Sequence, residues 1–277
     1  MKIAALGWDG NNIGDDIQTV AVMQHLPPVD FFLNRDHLNE YDGPECLLVM
    51  NGWFMTKPNN WPPSPKIKPI FFGFHVQENA RASVARHVEY LKKHEPIGCR
   101  DSGTVDFVRS LGVEAYLSLC ATLTFQPADR REAKNLYLVE AGLSTLHRDI
   151  RSKHGLTIKE VSHRFIDVSP ATRLQYAREV VETYRQNAAM IVTSRIHCAM
   201  PCVAMGIPVL FIGPKVFRTE ILEEIGLVRH ERSQGWLTRL TAPKIREWPR
   251  ILDVSELSKR VKDDLRERIE KALGVSR

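Results

Sequence analysis

The chain contains no CxxC pair, no HExxH cluster, no GxGxxG or GK[ST] signature and no apolar run near the roughly 20 residues that a membrane helix needs. Each absence removes a class of function. Its cysteines (Cys46, Cys99, Cys120, Cys198 and Cys202) are odd in number and unpaired in spacing. That argues against a disulfide framework or a zinc knuckle and for reduced, mostly buried thiols. Without metal-ligand spacing among the histidines, no metal is expected. The opening MKIAALGWDGNN has an apolar stretch too short for a signal-peptide core, broken by Gly7, Asp9 and Gly10. The expectation is a cytoplasmic protein, with association at the inner face of the membrane left open. There is no compact Lys/Arg run and no zinc-finger or RRM signature, so nucleic acid is not an expected partner.

What is present is an ordinary globular composition with an uneven charge. Across 277 residues the chain is 43% hydrophobic and 26% charged, too apolar for a disordered segment. Its net charge is +5, but residues 1–130 carry −3 and residues 131–277 carry +8. A basic half beside a slightly acidic one suggests two modules, the basic one suited to an anionic small molecule.

Short apolar runs alternate with amphipathic stretches, which predicts an α/β architecture, and two open α/β domains facing each other would make a cleft. In the first half, strands are predicted at Lys2–Leu6, Cys46–Met50, Ile70–Phe74 and Ile97–Arg100. Helices are predicted at Ile17–Leu26, Ala80–Lys93 and from Ser102 to Leu111, with Gly112 just past the last. The polar segment QPADRRE breaks the pattern, placing the boundary between domains 1–127 and 128–277. The second half reads as strands at Leu136–Glu140, Glu160–Phe165, Ala188–Thr193 and Pro208–Ile212. Its helices are read at 144–153, from Ser169-Pro170 through Tyr184, at Ile196–Met205 and at 255–273. Ligands in such sheets bind beyond the carboxyl ends of the strands.

Four segments can carry chemistry. In TSRIH, a buried strand ends at Thr193 and a helix opens at once, capped by Thr193 or Ser194. Its free N–H groups and dipole favour an anion. Arg195 offers a planar fork for carboxylate or phosphate, and His197 a proton carrier near neutral pH. The bland alternative is a surface ion pair and a packing histidine. In PIGCRDSGT, a strand delivers Arg100 and Asp101 to a strand-to-helix turn, where Asp101 or Ser102 can simply cap the helix. In NNIGDDIQT, Asp15 and Asp16 would repel phosphate and suit a hydroxylated ligand, unless Asp15 is only a cap. The loop 51–65 brings Asn51, Trp53, Phe54, Asn59, Asn60 and Trp61, with His75 after the next strand. Those side chains suit a sugar, or else bury area as a packing loop. His163 follows a strand and could reach a cleft.

These pieces in this order resemble the polysaccharide pyruvyl transferase family: NIGDDIQTVA (12–21), NGWFMTKPNNWPPSP (51–65), PIGCRDSGT (96–104), SLCATLTF (118–125) and TSRIHCAMPCVAMGIPVLFI (193–212). Against that pattern a glycine is expected where Leu119 stands and a leucine where Ala121 stands. The resemblance implies a GT-B-like pair of Rossmann-like domains facing a cleft. It implies transfer of a pyruvyl group from phosphoenolpyruvate, as co-substrate with no further cofactor, onto a sugar or lipid-linked saccharide. It casts His197 as the acid, Arg195 and Arg100 as clamps on the donor, and Ser194 and Lys215 as further donor contacts. Asp15, Asp16, Asn51, Trp53 and His75 fall on the acceptor side. A nucleotide-sugar glycosyltransferase of the same fold and a non-catalytic sugar-binding subunit of polysaccharide assembly remain as alternatives.

Overall fold

The computed structural model describes residues 1–54, 57, 59–128, 133–141, 155–164, 168–213, 219–230 and 248–275. Their strands form two sheets. The first holds β1 (Lys2–Gly7), β2 (Phe31–Asn34), β3 (Cys46–Phe54), β4 (Ile67–Val76), β5 (Ile97–Cys99) and β6 (Ala115–Leu117). Its spatial order is β2-β1-β3-β4-β5-β6. The second holds β7 (Asn135–Val139), β8 (Thr157–Val161), β9 (Ala188–Thr193), β10 (Val209–Ile212) and β11 (Arg229–His230), in the order β11-β10-β9-β7-β8. Every pairing is parallel. Counted from its own first strand, the first sheet runs 2-1-3-4-5-6 and the second 2-1-3-4-5, the doubly wound order with one reversal point. The reversals lie between β1 and β3 and between β7 and β9. The expected α/β architecture is the one observed, as two parallel sheets with helices.

The helices are α1 (Gly14–Met23), α2 (Arg81–Ala85), α3 (Val88–Lys92), α4 (Ser102–Ser110), α5 (Pro170–Asn187), α6 (Ile196–Ala204), α7 (Glu220–Glu224) and α8 (Ser255–Leu273). Ser169 caps α5 through Thr172 N–H, with Pro170 in its first turn. Asp101 rather than Ser102 caps α4, its carboxylate accepting from Thr104 N–H. Gly274 ends α8 in the left-handed conformation that a C-cap favours. The helix read at 144–153 lies outside the described residues.

Several expectations need correction. The stretch 51–54 is strand, not loop: β3 continues past a register shift between Met50 and Gly52 and pairs Phe54 with Val76. Trp61 of the same stretch is core, packed edge-on to Phe71 and Tyr90 and stacked with Phe74. The 80–93 segment is not one helix, because His87 leaves helical geometry between α2 and α3. The short strands β2 and β6 escaped the reading, being only four and three residues long.

One apolar core is continuous across both halves. It joins Ile13, Ile17 and Val20 of the first to Tyr137, Val181, Tyr184 and Met200 of the second. The last helix returns to the first half. Val261, Leu265 and Ile269, spaced four apart, are buried on one face. Each contributes roughly 1.5–3 kcal/mol by leaving water. Tyr116 Oη donates to Asp264 at 2.7 Å and Ser258 Oγ to the Leu123 carbonyl at 2.6 Å. So α8 ties the C-terminal residues to the N-terminal sheet.

Candidate functional site

The two reversal points face each other, and the strand ends there line one cavity of about 140 Å³. Its walls are Trp8, Asn12, Gly14, Asp15, Trp53 and Arg100 from the first half, and Ser194, Arg195, Ile196 and His197 from the second. The segment after β1 supplies Trp8 to Asp15, the end of β3 supplies Trp53, the turn after β5 supplies Arg100, and the turn after β9 supplies Ser194 to His197. Two helix N-termini meet there. A Cβ added to Gly14 would stand 3.3 Å from His197 Cβ, tighter than ordinary contact, so the two helix ends approach closely there. Partial positive charge from both α1 and α6 is thereby aimed at the same space.

The α6 end carries no side-chain cap. Thr193 Oγ1 instead accepts from Arg195 N–H at 2.9 Å, and Ser194 Oγ donates to the Glu140 carbonyl at 3.0 Å. These bonds fix the turn at the cavity wall. The Arg195 guanidinium stands 3.8 Å from Glu140. Burial pushes the Glu140 carboxyl up, but hydrogen bonds from Ser162 and His163 N–H, with the Arg195 charge, hold it below the usual range. Glu140 also has φ +53°, a left-handed backbone that costs a non-glycine residue roughly 1–2 kcal/mol. Such strain concentrates at functional sites.

Across the cavity, Arg100 is only 2% exposed. Its Nε stands 3.4 Å from Asp101, and its Nη2 has no hydrogen-bond partner. The indole N–H groups of Trp8 and Trp53 are likewise buried and unbonded. Arg35, from the end of β2, lies 3.8 Å over the Trp8 ring and 5.6 Å from that of Trp53, and donates to Asp15 Oδ1 at 2.7 Å. Orphaned buried donors are costly, at about 1–3 kcal/mol each, unless a ligand completes them. The unbonded groups of Trp8, Trp53 and Arg100 are all donors, which matches an oxygen-rich, anionic ligand.

Of the residues singled out from the sequence, Asp15, Trp53, Arg100, Ser194, Arg195 and His197 share this cavity. Three others do not reach it. Asp16 is buried against Arg173 Nε at 3.4 Å, so it joins the two halves instead of holding a sugar. Burial raises its carboxyl to about 6 despite the Arg173 charge. Asn51 is buried, with Oδ1 accepting from Ala121 N–H at 3.2 Å; it braces the 118–124 segment. His75 is fully buried in β4, its Nδ1 2.5 Å from Asp101. Burial and the Arg100 charge push the His75 ring down to about 4 against the pull of Asp101. His163 is also fully buried, bonded to Tyr184 Oη at 3.0 Å, and burial pushes it down to about 3. Neither ring lies on the cavity wall. Lys215 lies outside the described residues.

Sequence reasoning missed Trp8, Asn12, Gly14, Arg35 and Glu140. The signal for Glu140 was its place at the end of a predicted strand, and for Trp8 its place in the glycine loop after β1. Leu119, standing where a glycine is expected, has φ +61°, so the position does demand a left-handed backbone. Leucine holds it with its side chain 1% exposed in the shared core.

The polysaccharide pyruvyl transferase family profile matches residues 12–215, which include every cavity wall except Trp8. No curated protein compared with the chain matches it. Among solved structures, an uncharacterized protein from Klebsiella pneumoniae is similar at 12% identity and TM-score 0.48, over 84% of this chain and 93% of that one. A UDP-N-acetylglucosamine 2-epimerase is similar at 12% identity and TM-score 0.47, over 99% of this chain and 96% of that one. No helix among the described residues is long and apolar enough to cross a membrane.

Proposed function

The chain belongs to the polysaccharide pyruvyl transferase family, and from that premise we propose that it moves the pyruvyl group of phosphoenolpyruvate onto two hydroxyls of a saccharide, forming a ketal and releasing phosphate. The observation that carries this reading is the buried Arg100 guanidinium, its Nη2 unpaired, facing the uncapped α6 terminus across a small cavity. A cavity of about 140 Å³ is well below the 300–1,000 Å³ usual for larger ligands, which favours a small anion over a nucleotide sugar.

The chemistry then follows from the walls. Arg100, Arg195 and the first-turn N–H groups of α6 hold the donor's carboxylate and phosphate. His197 delivers a proton to the methylene carbon, and the adjacent carbon gains oxocarbenium character. One sugar hydroxyl attacks that carbon and passes its proton to Asp15. The C–O bond to phosphate breaks, the second hydroxyl closes the ring, and its proton leaves with the phosphate. Asp15 is suited to the base role because Arg35 and Gln18 hold its Oδ1, at 2.7 and 3.2 Å, while its Oδ2 has no partner among the described residues. Trp8 and Trp53 offer flat faces to the acceptor. A cytoplasmic setting and a saccharide precursor as acceptor belong to the same proposal.

Phosphate release from phosphoenolpyruvate across a panel of saccharides is the test. Release that depends on an acceptor, with none from nucleotide sugars, supports the reading. Turnover of a nucleotide sugar, with phosphoenolpyruvate inert, overturns it.

A further inference from the structure

The parallel registers of β3, β4 and β5 set Trp53 opposite His75 and Phe74 opposite Cys99, which brings His75 level with Arg100. Trp53 and Arg100 both line the cavity. His75 lies between them in the row but is fully buried, and no step proposed above uses it. Its Nδ1 is 2.5 Å from Asp101 Oδ2, the same oxygen that stands 3.4 Å from Arg100 Nε. The other oxygen, Oδ1, accepts from Thr104 N–H at 3.0 Å and from Thr104 Oγ1 at 2.7 Å. Asp101 is thus a hub. One oxygen is locked to the α4 terminus, and the other is shared between a histidine and the arginine that faces the cavity.

The physical consequence is orientation. A buried guanidinium held at one edge by an ion pair alone, with no hydrogen bond at Nε or Nη2, can pivot about that edge, and pivoting would turn its Nη2 away from the ligand. A carboxylate that itself rotates gives no fixed anchor. Asp101 cannot rotate, because Thr104 holds one oxygen and His75 the other. Burial pushes Asp101 up, but the His75 hydrogen bond, the Arg100 charge and the Thr104 bonds bring it down to about 2. The anchor therefore stays anionic throughout the neutral range. His75, with its proton on Nδ1, supplies a hydrogen bond without adding a second positive charge beside Arg100.

We propose that His75 is a positioning residue: through Asp101 it fixes the Arg100 guanidinium so that the free edge meets the anionic donor. This rests on the assignment of the cavity to phosphoenolpyruvate. It gives His75 a donor-side role in place of the acceptor contact expected from the sequence. The role makes a distinctive demand on the side chain. A group that can donate one hydrogen bond to Asp101 should keep it, and a group of similar bulk that cannot should lose it, even in a folded protein.

The test compares wild type, His75→Gln and His75→Phe by calorimetric titration with phosphoenolpyruvate, with thermal unfolding measured on each. Wild-type binding establishes the donor site, and its absence would fail that assignment rather than this one. Given binding, the proposal expects a tenfold or greater loss of affinity in H75F and at least partial retention in H75Q. If H75F is folded and binds like wild type, His75 has no positioning role and the proposal is overturned. Should H75F not fold, proton NMR of the wild type decides. The proposal expects a far-downfield Nδ1–H resonance of His75 that moves when phosphoenolpyruvate saturates the site. A resonance that stays fixed at saturation overturns it.

Discussion

The two halves build facing rims from the same strand order by different means. The second half relies on backbone: an uncapped helix terminus after β9, with Arg195 and His197 in or beside its first turn. The first half relies on buried side chains, with Arg35 stacked on Trp8 and the His75–Asp101–Arg100 row beneath the surface. Net charge does not sort them. The acidic half supplies the buried Arg100 and Arg35, and the basic half sets Glu140 beside Arg195. Charge counted along a sequence describes a half's solvated surface more than its functional edge. The proposed reading therefore sets the donor between both halves instead of assigning donor and acceptor to one half each.

The seam joining the halves is the place to break that comparison most forcefully. Arg173 of α5 donates to the Gly10 carbonyl at 2.8 Å and approaches Asp16 at 3.4 Å, while Ile13 N–H donates to the His163 carbonyl at 3.0 Å. These bonds hold the loop that presents Trp8, Asn12 and Asp15. Removing one partner of a buried pair costs about 3–5 kcal/mol because the other charge is stranded. Arg173→Met should lose about that much in denaturant unfolding, and Asp16→Asn together with Arg173→Met should regain part of it.

Acid should sharpen the comparison next, since each half buries one neutral histidine. The His75 and His163 rings are pushed down to about 4 and about 3, while an unfolded histidine titrates near 6.5. The unfolded chain therefore binds protons first as pH falls. Stability present above pH 6.5 is lost progressively toward pH 4, by roughly 3 kcal/mol per ring. Asp16 works in the opposite sense. Its folded carboxyl, raised to about 6, takes up a proton before the unfolded one does and offsets part of the loss between pH 6 and 4. Thermal unfolding of His163→Gln should show a shallower acid limb than wild type, and a single transition if the shared core couples the halves.

His197, as the proposed acid, should bear on the chemistry alone. His197→Gln should lower turnover about a hundredfold, the scale of a positioned acid, while donor affinity stays near wild type. Equal losses in both would make it a binding residue.

Much of this was legible in the sequence where local signals and tertiary need agree. The 188–212 strand–helix–strand and the 255–273 helix with Gly274 stand where periodicity and capping put them. What misled was position across a sheet. Asn51 and Trp53 stand two apart, which in a regular strand puts them on one face. The register shift between Met50 and Gly52 interrupts that regularity, and with β3 read as ending at Met50 it was hidden, so a buried brace and a cavity wall looked alike. Asp15 and Asp16 are neighbours on a helix and face about 100° apart, which separates a cavity carboxylate from an interdomain one. No sequence spacing reveals that Arg173 lies against Asp16, because their contact exists only after two domains have met.

The most direct measurement is the affinity for phosphoenolpyruvate of Arg100→Ala and of Arg195→Ala, one variant from each half. A donor held between the halves requires both to lose roughly 1.5–3 kcal/mol, about ten- to a hundredfold, the range for a charge-assisted hydrogen bond. If Arg195→Ala weakens binding and Arg100→Ala leaves it unchanged, the donor belongs to the second half alone and the account of a shared site is wrong.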